Sequence, residues 1–124
     1  MISVESSDTI RKILDKINKP VHFQYPLDEG HKQGFLKDRA VISSQGSKDV
    51  PYWDVVDLIE FAGESEPWMR IGYYRKPNSG HLTWGSQTTI TEPLTVWKKL
   101  LVQTAREKPW FMSLLNDVMK ELQQ

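Results

Sequence analysis

Between Val21 and Thr91 the sequence has no helical period, and this limits the accessible folds more than any other feature. The stretch is rich in β-branched and aromatic residues and is broken by clusters of Gly, Pro, Asn and Ser, the pattern of strands joined by turns. It predicts a short strand at 21–25, a polar loop PLDEGHKQG, and further strands near 35–43, 52–62, 67–75 and 81–90. The links SQGSKD, GESE and KPNSG are too short to hold crossover helices. Consecutive strands are therefore expected to pair antiparallel, which excludes a doubly wound parallel sheet.

Helical spacing flanks this block on both sides. Ile10, Ile13, Leu14 and Ile17 recur behind the candidate caps Ser6 and Ser7, and Pro20 ends the pattern, predicting a helix over 7–18. Lys12, Asp15, Lys16 and Lys19 occupy its other face and read as a solvated surface. Beyond the strands, Leu94, Trp97, Leu101, Thr104 and Ala105 share a stripe behind Pro93, with Thr91 or Glu92 as cap. Pro109 interrupts that stripe, and Trp110, Phe111, Leu114, Leu115, Val118, Met119 and Leu122 resume it. Two helices, 93–107 and 109–122, follow. A chain of 124 residues is about one domain's worth. The expected fold is a single α+β domain over 1–124: a curved antiparallel sheet of about five strands, with an N-terminal helix and two C-terminal helices packed mainly on one face. A helix-grip arrangement, in which the C-terminal helices close a cavity, is the alternative.

Composition narrows function mostly by exclusion. Five Trp, four Tyr and four Phe, with 39% hydrophobic residues, supply enough apolar surface for a folded core. Sixteen basic residues balance sixteen acidic ones, so no global field steers the protein to nucleic acid, an anionic membrane or acidic substrates. Cysteine is absent, which removes disulfides, thiolate metal sites and cysteine nucleophiles. No secretory signal or run of eighteen apolar residues is found, and a cytoplasmic protein is expected.

Turns at 62–67 and at KPNSG set a register in which Asp57 faces Gly72, Val55 faces Tyr74, and Gly72 faces Trp84. One face then carries Val55, Asp57, Ile59, Phe61, Trp68, Arg70, Tyr74, Leu82, Trp84, Ser86 and Thr88. Asp57, Arg70 and Ser86 fall near one another among Trp68, Tyr74 and Trp84, and these six residues are the candidate ligand-binding set. The functional reading is an aromatic-walled cleft in which Arg70 binds an anionic or carbonyl group and Asp57 holds the guanidinium. The structural reading is an ion pair satisfied inside the fold, with Trp84 filling the space above Gly72.

Other constellations are weaker. The run WGSQTTITEP leads polar side chains into a helix N-terminus, but Pro93 removes one N–H and no phosphate-binding glycine motif is present. His22, His31 and His81 lack metal-ligand spacing, and Asp28, Glu29 and His31 read as a polar turn, so no metal and no cofactor are assigned. No GxSxG elbow exists, and the pairs Asp54/Asp57 and Glu64/Glu66 do not converge, so no catalytic residue is assigned. Trp68, Arg70, Tyr73, Tyr74, Arg75 and Lys76, with Lys98, Lys99, Arg106 and Lys108, resemble a single-strand stacking surface, but Asp54, Asp57 and Glu60 and the balanced charge oppose it. The expected function is a non-enzymatic binding or protein-interaction module that self-associates as a homo-oligomer, with a small-ligand pocket protein as the alternative. A small enzyme and a single-stranded nucleic-acid binder rank below both, and no membrane contact is expected.

Overall fold

A computed structural model of the chain describes residues 4–24, 31–44, 50–77, 80–84 and 93–124. The elements in order are α1 (Val4–Leu14), β1 (Pro20–Gln24), β2 (His31–Ser44), β3 (Tyr52–Phe61), β4 (Trp68–Arg75), β5 (Thr83–Trp84), α2 (Leu94–Glu107) and α3 (Pro109–Leu122). The fold class is α+β. All five strands pair antiparallel in sequence order, β1-β2-β3-β4-β5, in one curved sheet. By internal contacts the chain divides into two compact units, Met1–Ser86 and Gln87–Gln124. Among the described residues no helix is long and apolar enough to cross a membrane.

In the first unit, α1 begins at Val4, so Ser6 and Ser7 lie inside the helix rather than capping it. It ends at Leu14, before the expected boundary, and Asn18 takes a left-handed conformation (φ 70°) that turns the chain into β1. Asparagine tolerates that region better than most residues. Strand β2 is longer than expected: His31–Gly34, read from sequence as loop, already pair with β1. Only Thr83–Trp84 of the last expected strand is described, and residues 85–90 lie outside the described residues.

Strand β2 also carries a β-bulge. Leu36 pairs with Ile59 and Asp38 with Leu58, which leaves Lys37 as the extra residue. Because side chains alternate along a strand, one inserted residue reverses the parity beyond it. Leu36 before the bulge and Arg39 and Val41 after it therefore share the face of Val55, Asp57 and Ile59.

The face assignments read from sequence hold for β3, β4 and Trp84, but the residue partners are displaced by two. Asp57 faces Arg70, Val55 faces Gly72, and Tyr74 faces Trp84. The connections are wider than tight hairpins: pairing of β3 with β4 stops at Ile59–Trp68, and pairing of β4 with β5 stops at Arg75–Thr83. A hydrogen bond from Glu64 N to Phe61 O (3.1 Å) closes the first turn, and one from Gly80 N to Pro77 O (2.8 Å) closes the second. Both loops hold a positive-φ glycine, Gly63 (84°) and Gly80 (90°).

Two apolar clusters occupy this face. Ile13, Trp53 and Val55 are packed by Ile10, Val41, Tyr74, Leu82 and Trp84. Leu36, Ile59 and Phe61 are packed by Ile17, Val21 and Trp68. Strand β3 is buried on both faces, with Asp54 and Val56 on the side opposite Val55 and Asp57.

In the second unit, α2 and α3 match the expected spans to within one residue. Lys108 between them is extended (φ −123°, ψ 107°) and donates its N–H to Thr104 O (2.8 Å). Pro109 follows at the first helical position, where its missing N–H costs nothing. Leu100, Thr104 and Phe111 are buried.

Although Trp84 faces Tyr74, its indole reaches diagonally over Gly72, where an added Cβ would collide with Cη2 and lie 2.9 Å from Cζ2. Cross-strand diagonals are within reach of a large ring. Gly72→Val is accordingly expected to lower stability by about 1–3 kcal/mol, as overpacking does. Thermal and urea unfolding check this, and an unchanged midpoint would mean that the indole does not occupy that space.

Candidate functional site

Asp57 is fully buried at the centre of β3, where an isolated carboxylate would be strongly disfavoured. The sheet supplies its counter-ions from both neighbouring strands, since the register sets Arg39 opposite it on β2 and Arg70 opposite it on β4. Arg39 donates Nε to Oδ1 (2.7 Å) and Nη2 to Oδ2 (3.0 Å), the bidentate fork that matches a carboxylate. Arg70 donates Nε (3.1 Å) and Nη2 (2.8 Å) to Oδ2. Two guanidiniums thus share one carboxylate.

The remaining Arg39 nitrogen, Nη1, donates to the Ile13 carbonyl of α1 (3.0 Å) and to the Tyr74 hydroxyl (3.0 Å). Burial alone would pull the Arg39 pKa down. The hydrogen bonds and charge of Asp57, with a smaller contribution from Tyr74, outweigh it and hold the pKa above its ordinary value. Arg39 is therefore a permanent cation. Trp84 lies over both guanidiniums, with its ring 4.7 Å from Arg70 Cζ and 5.7 Å from Arg39 Cζ, and Tyr74 lies 5.3 Å from Arg39 Cζ. Tyr74 and Trp84 also touch each other, centroids 4.8 Å apart. The aromatic wall covers the cations rather than standing open beside them.

A cleft of about 590 Å³ opens next to this cluster, between Ile13 at the end of α1 and Tyr74, Leu82 and Trp84 of the sheet. The triad lies behind its wall, bonded to Ile13 and Tyr74 and covered by Trp84.

Of the six sequence-predicted residues, the structure brings Asp57, Arg70, Tyr74 and Trp84 together. Trp68 is not with them: it meets Phe61 edge to face (centroids 5.2 Å, 80°) in the neighbouring apolar cluster. Ser86 lies outside the described residues, as do Asp28 and Glu29 of the loop and all of WGSQTTITEP between Trp84 and Pro93. Among the described residues no group of three candidate metal ligands forms. Tyr73, part of the stacking surface considered from sequence, packs instead against Tyr52 (5.4 Å). Arg39 was missed, because unbroken alternation from Leu36 puts it on the opposite face. The available signal is the run Lys37-Asp38-Arg39 between Leu36 and Ala40-Val41-Ile42: three successive charges inside an apolar strand mark a bulge or a buried pair.

Comparison with protein-family models, with characterised proteins and with solved structures gives no match to this chain.

The geometry orders the three charged residues by how much each leaves stranded. Asp57→Asn removes the counter-ion of both guanidiniums and is expected to cost about 3–5 kcal/mol, with Arg39→Met next. Arg70→Met should cost less, about 1–2 kcal/mol, because Arg70 keeps a fifth of its side chain in solvent and Arg39 still satisfies Asp57. Denaturant unfolding of the single and paired variants checks the order. Additive losses for Asp57 with Arg39 would show that the two do not act as a pair.

Proposed function

We propose that this protein is a non-enzymatic interaction module that self-associates through the apolar face of α3. The observation that carries the reading is the exposure of that face. At 100° per residue, Leu114, Val118, Phe111, Leu122, Leu115, Met119 and Met112 fall on one continuous arc of the helix. Phe111 is buried, but Met112, Leu114, Val118, Met119 and Leu122 are exposed, Met119 by 52% and Leu122 by 73%. Leu94, Leu101 and Val102 of α2 are exposed as well. Apolar side chains so concentrated are uncommon on a surface that meets only water.

A second copy is the occupant that the surface suits. An amphipathic arc is self-complementary about a two-fold axis. With sixteen charges of each sign, no net repulsion opposes association. Antiparallel pairing would also set the basic Lys108 end of one α3 beside Glu121 of the other. A ligand-binding reading is favoured separately by the cleft beside Tyr74 and Trp84.

Sedimentation at micromolar concentration is expected to give a dimer. Met119→Glu, which sets a charge in the arc, should weaken it by about 100-fold, or ~2.7 kcal/mol, with helix content unchanged by circular dichroism. A monomer at the highest soluble concentration would overturn the proposal.

A further inference from the structure

We propose that the cleft between α1 and the β4–β5 side of the sheet binds a nucleoside phosphate, with the flat base against the aromatic wall and the phosphate among the lysines of α1. Lys12, Lys16 and Lys19 all line it, accompanied among the described residues by one acid, Asp15. These four side chains carry two net positive charges. The whole chain is neutral, so cationic charge is gathered at this place.

Basic residues near a helix C-terminus have an ordinary explanation in the helix dipole. It covers Lys12, in the last turn of α1, but Lys16 and Lys19 lie beyond Leu14, where that interaction has fallen away. The exposed carbonyls of a helix end would normally repel an anion. Here the Ile13 carbonyl accepts from Arg39 Nη1, and the Leu14 carbonyl accepts from Ile17 N (3.0 Å). Two of the terminal carbonyls of α1 are thereby occupied.

Tyr74 supplies the second, independent observation. Its oxygen accepts a hydrogen bond from a permanently charged guanidinium, so its own proton is left to donate, and the residue lines the cleft. A hydroxyl polarised in this way is a stronger donor than a free one. A donor, three ammonium groups and an indole around a space of about 590 Å³ match a small anion with a flat body. Multiple lysines favour the dianion of a phosphate over a single carboxylate.

Titration calorimetry on the full chain at low ionic strength, with AMP as probe, tests the assignment. AMP is expected to bind with a Kd below about 1 mM and at least about tenfold more tightly than adenosine or inorganic phosphate alone. The double variant Lys12→Ser, Lys16→Ser should weaken AMP binding at least about tenfold, and Tyr74→Phe should weaken AMP more than adenosine. Asp15→Asn removes an acid that lines the cleft and should strengthen binding about threefold, a gain that misfolding cannot produce. AMP binding no tighter than that of its two halves, or unchanged in the lysine variant, would overturn the proposal. Tighter binding of a short oligoadenylate than of AMP would also overturn it, in favour of a nucleic-acid strand. Met119→Glu should bind AMP as the parent chain does, so failure of this site and failure of self-association are read separately.

Discussion

A single buried carboxylate holds the first unit in register. Asp57 accepts four N–H donors from two arginines, and through Arg39 the same cluster reaches the backbone of α1 and the hydroxyl of Tyr74. One side chain thus joins α1, β2, β3 and β4. Desolvating three charges consumes most of what their attraction returns, so the cluster is better understood as a determinant of geometry than as a large source of net stability. A slip of the β3–β4 pairing by two residues would keep every side chain on its own face, and apolar burial alone distinguishes the two registers poorly. The slipped register would set Asp57 opposite Gly72 and Arg70 opposite Ile59, parting the charges. The observed one aligns Arg39, Asp57 and Arg70 in a row across three strands.

That degeneracy explains what the sequence discloses and what it hides. Helices α2 and α3 are legible because a stripe broken by Pro109 has one physical reading, and the spans agree to within a residue. The face of each β3 and β4 side chain is legible for the same reason: alternation is robust to a shift of two. The partners are not, since they depend on how many residues the loops at 61–68 and 75–83 take up, and no tight-turn dipeptide fixes that number. The contact between Gly72 and Trp84 is found in either register because an indole spans the diagonal as readily as the direct neighbour. Alternation alone misplaces Arg39 because the bulge at Lys37 reverses the parity on which such arguments rest, and only the charged run Lys37-Asp38-Arg39 hints at it.

The same cluster bears on the chemistry available here. The Asp57 carboxylate is engaged by four N–H donors, one on Oδ1 and three on Oδ2. Arg39, held above its already high pKa, cannot give up a proton. These groups suit binding and positioning better than acid–base work.

Two surfaces of unlike chemistry therefore stand on the two units. The cleft of the first is cationic and aromatic, and the helix face of the second is apolar. Ionic strength acts on them in opposite senses. Added salt screens exposed lysines over a Debye length of about 8 Å at physiological concentration. It would therefore weaken the proposed hold of Lys12, Lys16 and Lys19 on an anion. The proposed apolar association through α3 would carry no such screening, and salts excluded from protein surfaces would strengthen it. A chain with balanced charge gains nothing from long-range steering toward either partner. Recognition of the kind proposed for each surface would accordingly be decided at contact distance, by the shape of the arc on α3 and by the placement of charge and ring around the cleft.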